Sequence, residues 1–254
     1  SRRARSASIA PLYAHRGLHG ACASENSVEA FERACRAGVG IEMDVRFSAD
    51  GAVVVFHDDA LERMCGAKAR VDETPLDALR ALSLPDGSRI PTLEEALACV
   101  GGRVPLLVEI KTCRNIMRLC AETLKQMRAY PGAYAIESFN PLALLYLRLH
   151  AAQVPRGQLV SLPEAYSGLA LRVGARALSN LLANFLSRPD FIAYDQRMQN
   201  RFAMRAQRFL YRAPRAVWTV RDRALLAGAR ARGESVIFEI DRGDDPISPE
   251  DLAR

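Results

Sequence analysis

The sequence lacks an apolar run that would cross a membrane, and it lacks the features of a secretory leader. Among its 254 residues, no uninterrupted apolar stretch reaches the roughly 18 residues that a membrane-spanning helix requires. The basic stretch Ser1–Ser8 is not followed by an apolar segment and a small-residue cleavage site. We therefore expect no transmembrane helix, and we expect Ser1–Ser8 to form a short tail before the first strand.

Closely spaced cysteines are absent, and histidines are few. The six cysteines include no C-x-x-C pair, and a chain of this length does not need disulfides for stability. A reducing, cytoplasmic location is therefore predicted. Of the four histidines, His19 and His150 are expected to be ordinary loop or core residues, which leaves His15 and His57 for chemistry.

Composition and charge are those of an ordinary globular protein. Hydrophobic residues make up 49% of the chain and charged residues 25%, as in proteins with a large core. The net charge is +6, from 35 Lys and Arg against 29 Asp and Glu. A positive balance helps to attract anionic phosphates. It also occurs in proteins that bind nothing anionic, so it does not identify a ligand.

Short apolar runs alternate with longer amphipathic ones, which predicts an α/β protein. Near-continuous apolar runs are typical of parallel strands covered on both faces. Eight such runs favour a (β/α)8 TIM barrel, with an open doubly wound sheet as the alternative. The predicted strands are Pro11–Ala14, Gly40–Val45, Pro105–Ile110, Tyr134–Ser138, Gln158–Leu162, Phe191–Tyr194, Ala216–Val220 and Ser235–Ile240. The predicted helices are Ser27–Ala37, Leu93–Val100, Ile116–Arg128, Pro141–His150, Gly168–Leu186, Gln199–Tyr211 and Asp222–Arg232.

One stretch interrupts the alternation. Val53–His57 forms a further extended run, and residues 58–90 are loop-like with a small helix near Leu76–Leu82. We interpret this stretch as a small rim insertion after strand 2, within a single barrel domain of residues 1–254. It is too short to be expected to bury a core of its own.

Charged residues spaced two positions apart occur in, or directly after, two of the predicted strands, where an unpaired charge is costly. Glu42 and Asp44 are two residues apart and therefore share one strand face, and Glu109 and Lys111 repeat the spacing on the next barrel strand. Barrel enzymes place their sites at this end of the strands. Three crowded carboxylates favour a hard divalent cation. The alternative is a buried ion network with Arg16, Arg46 or Lys111.

Two histidines lie at strand ends beside these carboxylates. His15 follows the first strand, and His57 ends the extended run after the second. A histidine pair at a metal site can serve as general base and general acid, each contributing roughly 10²–10⁴-fold. Asp58 follows His57 and offers a carboxylate to orient its imidazole. The alternative is a purely structural role for both histidines.

An ordered series of motifs resembles the glycerophosphodiester phosphodiesterase family, within the phosphoinositide phospholipase C-like superfamily. The resemblance covers nearly the whole chain and implies a barrel with a rim insertion. The motifs are His15-Arg16-Gly17, Glu25-Asn26-Ser27, Gly40-x-Glu42-x-Asp44, Val54-Val55-x-His57-Asp58, Ile90-Pro91-Thr92-Leu93, Glu109-Ile110-Lys111, Ser138-Phe139 and Trp218-Thr219-Val220.

The resemblance implies hydrolysis of a glycerophosphodiester, such as glycerophosphocholine, to an alcohol and sn-glycerol 3-phosphate. Glu42, Asp44 and Glu109 would hold one divalent cation, Mg²⁺ or Ca²⁺. His15 and His57 would be the acid–base pair, with His15 as the base by similarity to phosphoinositide phospholipases C. A small-molecule phosphodiester is the expected partner, and nucleic acid is not.

The same resemblance assigns supporting roles. Arg16 and Lys111 would bind phosphate oxygens, Arg16 with two donors and Lys111 as a point charge. Glu25 and Asn26 would hold the first loop in place behind the site. Trp218 would either line the alcohol side of the pocket or fill the barrel.

The match departs from the family at the last strand, Val236–Ile240, which more often ends in Thr-Asp with a proline within two residues. Here the proline comes later, at Pro246. The loop after this last strand is therefore expected to differ from that of the family, and with it part of the substrate selectivity. Two other functions remain open: a lipid-active phosphodiesterase, phospholipase C- or sphingomyelinase D-like, and a non-catalytic phosphate-binding barrel.

A row of arginines follows the seventh strand. Arg201, Arg205, Arg208 and Arg212 are spaced to share one helical face. Peripheral contact with an anionic membrane is one interpretation, and a solvated helix exterior is the favoured one. The Leu-rich segment Leu169–Leu186 would pack on the barrel or on a partner, so the oligomeric state is left open.

Overall fold

Eight parallel strands close into a barrel in the computed structural model, which describes residues 9–162, 184–200, 213–240, 243 and 245–253. The first strand pairs with both the second and the last, Tyr13 lying opposite Gly40 on one side and Ile237 on the other. The predicted TIM barrel is therefore confirmed, and the open sheet is excluded. The strands are β1 Leu12–Ala14, β2 Gly40–Phe47, β3 Val53–Val55, β4 Leu106–Ile110, β5 Tyr134–Ser138, β6 Arg156–Val160, β7 Phe191–Asp195, β8 Arg215–Val220 and β9 Ser235–Phe238.

Helices lie between the barrel strands, and two of their predicted starts are confirmed. The Ser27 side chain accepts a hydrogen bond from the Ala30 amide at the start of α1, and Thr92 with Glu95 forms a capping box at the start of α4. The α-helices described are α1 Val28–Arg36, α2 Glu62–Cys65, α3 Leu76–Arg80, α4 Leu93–Val100, α5 Ile116–Met127, α6 Pro141–His150, α7 Asn184–Ser187 and α8 Arg223–Ala231. Short 3-10 turns cover Val71–Glu73, Gln196–Met198 and Pro249–Ala253.

Some predictions fall on residues that the structure does not describe. These are the tail Ser1–Ser8, most of the predicted helix Gly168–Leu186, nearly all of the predicted helix Gln199–Tyr211, and the arginine row. The last residues of the first of these helices overlap α7. Among the helices that are described, none is both long and apolar enough to cross a membrane.

The predicted position of β6 is wrong by two residues. The strand begins at Arg156 rather than Gln158, because Arg156 is buried with a specific partner. Its Nη1 lies 3.3 Å from Asp190 Oδ2, and its guanidinium donates to the carbonyls of Ser187 and Arg188. A charged side chain can occupy a buried strand when it is paired in this way.

The rim insertion does not bury a core from its own residues alone; it packs on β3 in a hydrophobic cluster separate from those of the barrel. The cluster forms because strand β3 and the residue after it supply apolar side chains on which the insertion packs. A 33-residue stretch therefore does not have to build the cluster alone. Its members are Val54, Phe56, Leu61, Val71, Leu79, Leu84 and Ile90.

Candidate active site

The loop after β1 turns sharply and places His15 at the carboxyl-terminal end of the barrel. Arg16 and Gly17 have φ angles of 55° and 79°, a region that favours glycine. A Cβ atom at Gly17 would lie 2.9 Å from Ala30 Cβ, so only glycine fits against α1. The Arg16 amide donates to Glu42 Oε2 at 2.9 Å. Arg16 therefore holds a costly backbone conformation that the β2 carboxylate helps to fix.

Three buried carboxylates from β2 and β4 meet, as predicted. Glu42, Asp44 and Glu109 are 2%, 1% and 7% exposed, and each offers an oxygen that lies within 4.8 Å of the others. The register places Asp44 directly opposite Glu109. Lys111 Nζ lies 3.1 Å from Asp44 Oδ1 and 2.9 Å from Glu109 Oε1. The spacing of two residues on neighbouring strands therefore does bring these four side chains together.

The charges of this cluster are only partly balanced by the protein. Burial raises the pKa of Glu42 well above its ordinary value, and the charges of Asp44 and Glu109 raise it further. Burial raises the pKa of Glu109 as well, against the opposing charge of Lys111. Burial alone would raise the pKa of Asp44, but Lys111, His57 and Arg16 hold it well below its usual range. If all three carboxylates were ionised, the cluster would therefore carry more negative charge than its neighbouring cations balance.

These residues fit a divalent cation. Three converging carboxylate oxygens are the ligands that hard divalent cations prefer. A bound cation would also favour the ionised forms of Glu42 and Glu109. The buried ion network proposed as the alternative also exists in part. Arg16 Nε lies 3.6 Å from Asp44 Oδ2, whereas Arg46 pairs with Asp59 instead. In the part of the chain that the structure describes, Glu42 forms no ion pair with a cationic side chain, unlike Asp44 and Glu109.

Each of the two predicted catalytic histidines is hydrogen-bonded to a carboxylate through Nδ1. His57 Nδ1 lies 2.6 Å from Asp58 Oδ1, and Arg63 Nε donates to the other oxygen of Asp58 at 2.5 Å. His15 Nδ1 lies 2.7 Å from Glu239 Oε1. In both imidazoles, Nε2 is therefore the nitrogen left for proton exchange.

Burial sets the ionisation of these pairs. It lowers the pKa of His15 to about 4, although Glu239 acts in the opposite direction. Burial would raise the pKa values of Asp58 and Glu239, but their hydrogen bonds to a histidine and an arginine hold both below the usual range. His15 is therefore neutral at pH 7 and has a negatively charged neighbour.

Glu25 and Asn26 tie the first loop to the site. Glu25 Oε1 accepts from Arg16 Nη1 at 2.7 Å and from Arg63 Nη2 at 2.5 Å. The Asn26 side-chain amide donates to Asp44 Oδ2 at 2.8 Å. These contacts agree with the supporting role that the resemblance implies. Glu25 also links the arginine beside His15 to the arginine beside Asp58.

Trp218 lies on β8 at the same end of the barrel. Its ring meets that of Phe139 edge to face, with centroids 5.9 Å apart. Both rings are partly buried and pack on the hydrophobic cluster inside the barrel. The ring therefore belongs to the barrel filling and is only partly buried.

Sequence reasoning missed Glu137, Glu239 and His19. Glu137 is fully buried opposite Glu109, and burial raises its pKa well above the ordinary value. The rule that identified Glu42, a charged residue inside an apolar strand, would also have found Glu137 and Glu239. His19, interpreted as an ordinary residue, does lie in a loop, but its Nε2 is 3.9 Å from Glu239 Oε1. His150, by contrast, ends α6 at the surface as expected.

A closed α/β barrel with a buried acidic cluster on β2 and β4, one histidine after β1 and a second after β3 places the protein among the β/α-barrel enzymes. Residues 15–242 match the model of the glycerophosphoryl diester phosphodiesterase family. The chain belongs to that family.

Individual relatives agree with this assignment. The glycerophosphodiester phosphodiesterase of Caldanaerobacter subterraneus subsp. tengcongensis is 31% identical over 189 residues, 69% of this chain and 77% of that protein. The YhdW protein of Bacillus subtilis is 35% identical over 108 residues, 39% of this chain, but the match spans only 44% of its own length. An Oleispira antarctica phosphodiesterase solved with the product sn-glycerol-3-phosphate has the same fold, with a TM-score of 0.74 and 23% identity over 92% of this chain and 94% of that one.

Proposed function

We propose that this chain hydrolyses glycerophosphodiesters, such as glycerophosphocholine, to an alcohol and sn-glycerol 3-phosphate. The observation that carries the proposal is the buried cluster of Glu42, Asp44 and Glu109 beside two histidines whose Nδ1 atoms are held by carboxylates. The family match supports it, as does the product sn-glycerol-3-phosphate bound to the Oleispira enzyme.

In the proposed mechanism, Glu42, Asp44 and Glu109 hold one divalent cation, Mg²⁺ or Ca²⁺. This cation would supply charge neutralisation for the anionic phosphodiester. Arg16 and Lys111 would bind phosphate oxygens. Both already lie against the cluster, 3.6 Å and 3.1 Å from Asp44 oxygens, so their charges face the place where the phosphate would sit.

The two histidines would move the protons. His15 would accept at Nε2 the proton of the nucleophile, either water or the glycerol 2-hydroxyl, whose oxygen forms the new bond to phosphorus. The bond from phosphorus to the leaving oxygen would break, and His57 would donate a proton to that oxygen, which leaves as the alcohol. If the hydroxyl attacks, water would then open the resulting cyclic phosphate: the water oxygen bonds to phosphorus, the bond from phosphorus to the 2-oxygen breaks, His57 takes the proton of water and His15 returns one to the 2-oxygen. The pKa of His15, lowered to about 4 by burial, supports its role as base, because the imidazole is neutral at pH 7.

The test is turnover of glycerophosphocholine by the full chain, with and without a chelator. We expect release of sn-glycerol 3-phosphate that stops on chelation and returns with added Mg²⁺ or Ca²⁺. His57→Ala should lose about 10²–10⁴-fold in kcat and still bind the cation by calorimetry, because His57 is not among the proposed ligands. Release that is insensitive to the chelator, or wild-type turnover by His57→Ala, would overturn the mechanism.

We also propose a cytoplasmic location. The support is that all six cysteines are free, which suits a reducing compartment. Immunoblotting of fractionated source cells would test the proposal, and recovery of the protein outside the cytoplasmic fraction would contradict it.

A further inference from the structure

The residue after β9, Glu239, has three partners that fix its position. Its amide donates to the Val220 carbonyl at the end of β8 at 3.0 Å. Its Oε1 lies 2.7 Å from His15 Nδ1, and its Oε2 accepts from Arg221 Nε at 2.7 Å. The side chain is 8% exposed. The carboxylate is therefore held at both oxygens and by its own backbone.

The His15 backbone is fixed to the same strand end. Its amide donates to the Phe238 carbonyl at 2.9 Å, so Phe238, the last residue of β9, holds the backbone of His15 and the next residue, Glu239, holds its imidazole. The arrangement repeats the one at the other histidine, where Asp58 bonds to His57 Nδ1 and to Arg63 Nε. Two segments without sequence similarity thus present the same histidine–carboxylate–arginine order.

We propose that Glu239 is the positioning residue of the general base: it holds His15 in the tautomer that carries its proton on Nδ1 and leaves Nε2 free to accept one. The proposal rests on the proposed function, in which His15 is the base. A carboxylate on Nδ1 also stabilises the imidazolium that forms when Nε2 accepts the proton. Glu239 does not touch the substrate in this role. Arg221 keeps the carboxylate ionised and aligned.

The chain offers a matched control for this proposal. Glu234 precedes β9 as Glu239 follows it, is 5% exposed, and is likewise held by ion pairs, with Arg215 and Arg232. It lies at the opposite end of the strand from His15. A merely structural loss should therefore affect Glu234→Gln and Glu239→Gln alike, whereas loss of positioning should affect only Glu239→Gln.

The first measurement is steady-state turnover of glycerophosphocholine by the cation-loaded full chain. Glu239→Gln should lower kcat about 10²-fold and leave KM within about twofold, because only the proton transfer is impaired. Glu239→Asp, which keeps the charge, should fall between wild type and Glu239→Gln. Glu234→Gln should retain wild-type kcat. A raised KM with unchanged kcat, or equal losses in the two glutamine variants, would overturn the proposal.

The second measurement needs no substrate. The imidazole ¹⁵N resonances of His15, assigned by their absence in His15→Gln, report which nitrogen carries the proton. Glu239→Gln should shift the Nδ1 resonance away from its wild-type position, and Glu234→Gln should not. Unchanged ¹⁵N resonances in both Glu239 variants would refute the proposal. If wild type fails to hydrolyse glycerophosphodiesters, the proposed function fails, but this spectrum still decides whether Glu239 positions His15.

Discussion

Without a bound cation, Lys111 is the cationic side chain that holds the carboxylates of Asp44 and Glu109 together. Burial would lower the pKa of its ammonium group, but the two carboxylates raise it above the ordinary value. Removing one member of a buried ion pair costs about 3–5 kcal/mol, because the other charge stays behind. Lys111 is therefore a partial substitute for the cation in stabilising the cluster.

Lys111→Met should accordingly destabilise the cation-free protein more than the cation-loaded one. Urea unfolding with and without Ca²⁺ or Mg²⁺ measures the two losses. Lys125→Met is the control, since the Lys125 side chain is 79% exposed and pairs with Glu122 on the surface of α5, a contact worth about 0–1 kcal/mol. If Lys111→Met lost the same free energy of unfolding in both conditions, Lys111 and the cation would not neutralise the same carboxylates.

The buried imidazole of His15 should give the cation-free protein a specific pH dependence of stability. The pKa of His15 is lowered from 6.5 in the unfolded chain to about 4 in the folded protein. Between pH 4 and 6.5 the unfolded state binds the extra proton at this imidazole, so the contribution of His15 to stability rises with pH across this window and is constant above it. The difference amounts to at most about 3 kcal/mol. His15→Gln should flatten the curve of unfolding free energy over this window, and an unchanged slope would contradict the burial effect.

For individual residues, the sequence predicts a contact when the partner is two positions away or on a neighbouring strand. Glu42 with Asp44, and Glu109 with Lys111, follow from the alternation of side chains along a strand. Glu239 could not be paired with His15 in the same way, because 224 residues separate them. Only the closure of the barrel brings the two together.

Among the elements, the starts of helices were predictable because their signals are local. The α4 capping box involves residues three apart, with Thr92 Oγ1 accepting from the Glu95 amide at 3.2 Å and Glu95 Oε2 accepting from the Thr92 amide at 2.8 Å. The start of β6 was missed because Arg156 is buried by Asp190, 34 residues further along the chain. Long-range pairing sets such boundaries, and propensity alone does not reveal it.

Thr92→Ala should destabilise the protein by about 1 kcal/mol, because one helix-terminal amide loses its hydrogen-bond partner. Thr112→Ala is the matched control, since Thr112 is exposed and outside the helices; its change should stay within about 0.5 kcal/mol. Denaturant unfolding of both variants measures the difference. A loss in Thr92→Ala no larger than in Thr112→Ala would mean that the capping box contributes nothing to stability.

For the whole molecule, cation binding and stability should be linked. A cation at 100 times its dissociation constant adds about 2.7 kcal/mol to the free energy of unfolding.

We propose that barrel and insertion form one domain, since Ser24 and Asp86 join them by hydrogen bonds of 2.8 and 3.1 Å. The transitions followed by far-UV circular dichroism and by the fluorescence of Trp218, the single tryptophan, should therefore coincide and shift together.

Glu42→Gln separates the cost of burying the Glu42 charge in the cation-free protein from the contribution of Glu42 to cation binding. The raised pKa of Glu42 means that its charge is unfavourable in the cation-free protein, so glutamine should maintain or increase stability there. It should also reduce the gain on adding Ca²⁺ or Mg²⁺, because one ligand oxygen loses its charge. A full cation-dependent gain in this variant would exclude Glu42 as a ligand.

Closure of the barrel between β1 and β9 has a consequence for synthesis of the chain. Strand β1 is translated early, but its pairing with β9 requires Val236, Ile237 and Phe238. His15 meets its carboxylate only one residue later, at Glu239. While the ribosome is still adding the second half of the chain, β1 exposes an unpaired edge, and such edges promote misassociation. A nascent chain stalled before this point should depend on chaperones and should lack the assembled histidine.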